Sequence, residues 1–249
     1  MSKSRLYPRG LANSSGHVGK DFIPHFTNGV QCWLTDLVGK PATNDEGFLD
    51  HAYVPSFMHN RQRDYKRSFG IQFNYQNRRG TGWTREVPGF GKAYKEAVKA
   101  RYPAFLVFSP YGEKLPHPRT YVDLDESKKD VHGLPSVRRV VTWEDNDWKI
   151  FRDMTEWSKR ILTAAGADIF AIGEEPRTNH ELGGCRMGVD PKTSVVNEYC
   201  QSHDVSNLYV CDGSVFPSAS EKNPTHTIMA LAARAAENIA SRLQKGEVG

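Results

Sequence analysis

The sequence has few cysteines, no long apolar run and no block of charge of one sign, and each absence removes a class of protein. Its 249 residues hold four cysteines, Cys32, Cys185, Cys200 and Cys211. They form no Cys-x-x-Cys pair and no dense pattern, which excludes a disulfide-stapled miniature domain. Cys200 and His203 have a ligand-like spacing, but no second pair accompanies them, so buried free thiols and no metal site are expected. No apolar stretch approaches the ~20 residues that cross a bilayer as a helix. The N-terminal residues Met1 to Gly10 lack the apolar core of a signal peptide. A cytoplasmic place is the default expectation, although a longer N-terminus could carry an export signal. The net charge is +4, from 33 Lys and Arg against 29 Asp and Glu. A nucleic-acid binder would gather its basic residues in runs or on one face. Here they are interspersed with acids, as in Asp125-Glu126-Ser127-Lys128-Lys129-Asp130, which reads as a solvated turn. No internal repeat or low-complexity tract occurs. Also missing is a Gly-x-Gly-x-x-Gly between a strand and a helix: Gly80-Thr81-Gly82-Trp83 lacks the third glycine and the acidic residue that should follow.

What is present suits a folded chain of one large or two small domains, with 38% hydrophobic and 25% charged residues. Ser68 to Tyr75 alternates apolar and polar residues, the mark of a half-buried strand. Phe105 to Phe108, Thr120 to Asp125 and Pro135 to Trp143 read as further strands. Short turns between them predict an antiparallel sheet, covered by helices on one face. Gly89 to Arg101 has helical character. Trp148 to Ala165 predicts an amphipathic helix with Ile150, Phe151, Met154, Trp157, Ile161 and Leu162 on one side, and Gly166 as its stop.

The richest stretch begins at Asn223. Asn223-Pro224-Thr225-His226-Thr227 reads as a helix start, with Asn223 as N-cap and Pro224 in the first turn. Ile228, Leu231, Ala232, Ala235, Ile239 and Leu243 follow at helical spacing, and five alanines lie between Ala230 and Ala236. Such a helix can pack its backbone against something flat, and its N-terminus favours an anion or electron-rich ring. A core helix with no ligand explains the same residues. Two stretches precede it: His180-Glu181-Leu182-Gly183-Gly184-Cys185-Arg186-Met187-Gly188, and Asn207-Leu208-Tyr209-Val210-Cys211-Asp212-Gly213, which predicts a short buried strand ending in a turn.

In this order and register, these three blocks resemble the C-terminal signature of the glucose–methanol–choline (GMC) flavoprotein oxidoreductases. The N-terminal loop Val18-Gly19-Lys20-Asp21-Phe22-Ile23-Pro24-His25 is similar to that family's Gly-x-Gly-x-Asn-Leu-x-x-His segment, with Asp21 where Asn is commoner. The resemblance implies an α+β fold. Residues 1–25 would be a remnant of an FAD domain, residues 26–172 a substrate domain, and residues 173–249 the C-terminal segment of the FAD domain. The ADP-binding βαβ unit would be missing, and Met1 would stand inside a longer enzyme.

Nine histidines are present, and His180 stands out by its setting before paired glycines, which let a backbone approach a flat ligand. The resemblance makes His180 the catalytic base near the flavin, a role that suits imidazole because alcohol oxidation must shed the hydroxyl proton. Asn223, 43 positions later, would pair with it; a plain N-cap role competes for the same amide. Asp212, Gly213, Asn223, Pro224 and Thr225 are the implied FAD-binding residues. Arg186 and Met187 belong to the motif without an assigned chemistry, and His226 reads as a packing or capping residue. The implied activity is FAD-dependent oxidation of a CH–OH group in an alcohol, sugar, polyol or sugar acid, with a quinone, a cytochrome or oxygen as acceptor. The alternative is a non-catalytic remnant or partner module that needs a separately encoded FAD-binding half.

Overall fold

The computed structural model describes residues 2–41, 52–55, 62–75 and 82–247. His51, His59, Gly80 and Thr81 lie outside the described residues. In chain order the strands are β1 (His25–Thr27), β2 (Val30–Leu34), β3 (Ala52–Val54), β4 (Phe69–Tyr75), β5 (Phe105–Gly112), β6 (Tyr121–Lys129), β7 (Pro135–Val140), β8 (Ala167–Ile172) and β9 (Arg177–Asn179). The α-helices are α1 (Gly91–Arg101), α2 (Asp145–Ala164) and α3 (Thr225–Gln244). The fold is α+β. The chain divides into two compact units: one gathers Met1–His25, Glu113–Glu144 and Thr178–Gly249, the other Phe26–Gly112 and Asp145–Arg177.

In the second unit β5 is the hub. It pairs antiparallel with β4 on one side and with β1 and β2 along the other, and β3 and β8 extend the sheet beyond β4 and β2, also antiparallel. The reason lies in its sequence: Phe105, Leu106 and Phe108 are all buried, so both faces of β5 need cover. Strand alternation turns Phe105 and Val107 toward Trp33, Trp83 and the α1 residues Tyr94, Ala97 and Val98. Gly112, on the opposite face, lies so close to the Phe26 ring and Ile150 of α2 that a Cβ would strike both. Helices therefore cover both faces, where cover on one was expected. Along α2, Ile150, Phe151, Met154 and Leu162 are buried, which is the predicted stripe. The helix starts three residues before Trp148, because Asp145 and Asp147 suit a helix N-terminus. Gly166, at φ +70°, follows its end.

In the first unit β6 and β7 form an antiparallel hairpin, with Asp123 and Arg138 directly opposite. Their side chains make two hydrogen bonds, of 2.8 and 2.6 Å, which hold the Asp123 carboxyl below its usual range. The Asp125–Asp130 run is strand as far as Lys129 and turn only from Asp130, whose carboxylate accepts the backbone N–H groups of His132 and Leu134. The core of this unit joins Val195, Val196, Cys200, Val215 and Ala235. Asn207–Cys211 does not form the predicted strand. It makes one isolated bridge, Gln201 with Tyr209, and Cys211 is exposed; β-branched and aromatic residues favour a strand only where a partner ladder runs beside them. Helix α3 starts at Thr225, one residue later than predicted, with Pro224 and not Asn223 as its N-cap and no side-chain cap. Pro224 already has helical dihedrals and its carbonyl accepts the Ile228 N–H at 3.0 Å. Ala235 is buried in α3, whereas Met229 and Leu243 are 62% and 58% exposed.

Candidate active site

The glycines of the first unit assemble the site. Backbone hydrogen bonds run from Gly19 N–H to the Gly184 carbonyl (2.6 Å), from Ile23 N–H to Leu182 (2.8 Å) and from Gly183 N–H to Gly213 (3.0 Å). The N-terminal loop, the His180–Gly188 block and the Asp212–Gly213 turn are thus laced together despite their distance in sequence. Gly183 has φ +75°, and a Cβ there would run into the Asp21 carbonyl. A Cβ on Gly213 would come within 3.0 Å of the Glu181 carbonyl and 3.5 Å of Ile228 in the first turns of α3. Only glycine allows these backbones to close up.

His180 follows β9 directly and is half-buried, with φ +49°, an uncommon conformation for a residue with a side chain. Its backbone N–H donates to the Asn179 side-chain oxygen at 2.8 Å. Its Nδ1 lies 3.0 Å from Nδ1 of His25, and the two rings meet edge to face with centroids 5.2 Å apart. Burial pushes the His180 pKa down, so the ring is neutral at ordinary pH. His25 is fully buried and shifted further, to about 4, first by desolvation and then by His180; the Ser220 backbone and the Glu221 carboxylate oppose the shift in part. Glu221 is 1% exposed and paired with Lys222 at 2.8 Å.

Asp212 is exposed, and its carboxylate accepts the Ser214 N–H at 2.8 Å, capping the short turn Gly213–Val215. Asn223 and Thr225 are exposed and Pro224 is buried at the start of α3. Arg186 reaches Asp21 of the N-terminal loop at 3.4 Å, and Met187 sulfur accepts from Arg234 at 3.8 Å, which gives both motif residues a bracing role. His203 bonds Ser194 and the Gly188 carbonyl through its Nε2. Among the described residues no group of three or more His, Cys, Asp or Glu could hold a metal, and no helix is long and apolar enough to cross a membrane. Sequence reasoning did not single out His25 or Glu221. His25 carried a signal, as the last residue of the N-terminal segment; Glu221 carried none.

Comparison with known proteins bears on this geometry. The GMC oxidoreductase C-terminal domain family matches residues 116–232. A 2-methyl-1,2-propanediol dehydrogenase of Mycolicibacterium austroafricanum is 34% identical over 257 residues, covering 97% of this chain and 45% of that protein. The gluconate 2-dehydrogenase flavoprotein of Pantoea cypripedii is 34% identical over 155 residues, covering 58% of this chain and 25% of its own length. The chain thus spans less than half the length of these relatives. A formate oxidase structure from Aspergillus oryzae shares the fold, with a TM-score of 0.60 at 14% identity, over 93% of this chain and 48% of that one.

Proposed function

We propose that this chain, whose residues 116–232 match the GMC oxidoreductase family, supplies the base and half of the flavin cradle of an FAD-dependent enzyme that oxidises a CH–OH group. The observation that carries this reading is His180: a half-buried, neutral histidine beside Gly183 and Gly184. A neutral imidazole can accept the hydroxyl proton as the carbon is oxidised, which is general-base catalysis. FAD, when bound, supplies the hydride acceptor. The residues present suit that cofactor. The exposed first turn of α3 offers backbone N–H groups and a partial positive charge to an electron-rich ring edge. The Asp212–Gly213 turn and the Asn223–Thr225 segment would line the same ring, and Asn223 would hold the substrate oxygen. We assign the first unit to the flavin side and the second to the substrate side. The relatives named for a diol and for gluconate favour a polyol, sugar or sugar acid as substrate.

The test is His180→Ala in the flavin-loaded enzyme. Turnover should fall by ~10²–10⁴-fold, the usual contribution of a positioned base, with flavin still bound. Asn223→Ala should lower turnover and leave the helix start, whose N-cap is Pro224, unweakened. Near-normal turnover in the His180 variant would remove histidine base catalysis.

A further inference from the structure

We infer that His25 is a positioning residue: it fixes which ring nitrogen of His180 is left bare to take the substrate proton. This rests on the reading of His180 as the base.

The argument starts from two like nitrogens. Nδ1 of His25 faces Nδ1 of His180 at 3.0 Å, a hydrogen-bond distance that requires one proton between them and not two. Either ring could hold it, and the role of His180 decides. Nδ1 of His180 is taken up by His25, so a His180 that acts as the base must accept the substrate proton on Nε2. A neutral imidazole carries one proton, so an unprotonated Nε2 places that proton on Nδ1 of His180, which donates it to the lone pair of His25 Nδ1. In the reaction the substrate hydroxyl proton passes to that Nε2. The resulting imidazolium keeps its Nδ1–H bonded to His25. With the opposite tautomer, Nε2 would already carry a proton and the base would be blocked.

Position supports the assignment. His25 is wholly buried and anchored as the first residue of β1. The Ile23 N–H bond to Leu182 ties its loop to the residues just after His180. His180, at φ +49°, is held in a conformation that aims its ring at His25 while its own backbone N–H is occupied by Asn179. A rigid second residue that sets the tautomer of a catalytic histidine is worth more than its hydrogen bond alone, since it selects the reactive form.

Two variants and one spectrum test this on the flavin-loaded enzyme that contains the chain. His25→Leu removes the acceptor; His25→Asn places an amide oxygen near the former Nδ1. His25→Leu should lower kcat roughly 10²-fold with little change in KM, and His25→Asn should recover at least about tenfold of the loss. Independently of activity, ¹⁵N NMR of histidine-labelled protein at neutral pH should show His180 protonated on Nδ1, the signal being assigned by its loss in His180→Ala. A His180 protonated on Nε2 would overturn the inference, as would a folded His25→Leu with unchanged kcat. If His25→Leu does not fold, the wild-type spectrum still decides. An active His180→Ala enzyme would sink the base reading itself, and a normal His25→Leu beside an inactive His180→Ala would sink only the role of His25.

Discussion

A single buried imidazole sets one dependence of this fold on pH. His25 titrates at about 4, against 6.5 for an unperturbed histidine, and burial is the first cause. Its polar neighbours are His180, the Ser220 backbone, and Glu221 with its Lys222 partner. Above pH ~6.5 neither folded nor unfolded chain protonates it, and its contribution is intact. As pH falls from ~6.5 toward ~4 the unfolded chain takes up the proton first, so stability drops, by on the order of 3 kcal/mol across the window. His180, also shifted down, pulls in the same direction. Chemical denaturation from pH 7.5 to 4.5 should show this loss, and His25→Leu should flatten it; a wild-type stability flat across the range would contradict it. At this scale the sequence was legible where chemistry sits beside its own context. His180 announced itself through Gly183 and Gly184. His25 did not, because its partner lies 155 positions away and no local pattern records that meeting.

Elements are held in register by glycines as much as by apolar stripes. Gly183 combines φ +75° with a carbonyl where its Cβ would go, whereas Gly133, at φ +78°, has nothing within 4 Å. Gly183→Ala should therefore cost conformational strain plus a backbone displacement, about 3 kcal/mol or more, and Gly133→Ala only the strain, about 1 kcal/mol. Thermal unfolding of both variants checks the difference; equal shifts would mean that the loops laced around Gly183 yield freely. Helices were the most readable elements. The α2 stripe and the Pro224 start of α3 are local properties of the chain. The Asn207–Cys211 segment shows the limit: its residues favour a strand, but a strand is a pairing, and its single bridge to Gln201 is no ladder. Conversely β8, read as no element, is a strand because β2 lies beside it.

On the scale of the molecule, the two units are interleaved along the chain, and no shift of composition marks the joins at residues 112–113 and 144–145. Those joins were unreadable because a unit boundary is a property of long-range packing. Helix α3 leaves Met229 and Leu243 open to solvent along with Ala230, Ala233 and Ala236, and the sequence holds no Gly-x-Gly-x-x-Gly to grip the ADP half of FAD. We expect the 249-residue chain alone to purify without flavin absorbance, and a yellow product only when an FAD-binding half is supplied with it. A stoichiometrically flavinylated short chain would overturn this. The interleaving also imposes an order in time. The second unit has all its residues once Arg177 has emerged, but the first is complete only with Thr178 and beyond: Gly19 can meet Val122 earlier, whereas Ile23 must wait for Leu182. At ~5–20 residues per second, translation takes roughly 10–30 s to cover that gap. Through that interval Ile23 and Phe22, buried in the finished fold, travel uncovered on the nascent chain. The ribosome thus hands the folding protein the apolar Phe22–Ile23 pair long before it delivers the His180 block that shelters it, and a chaperone has that interval in which to act.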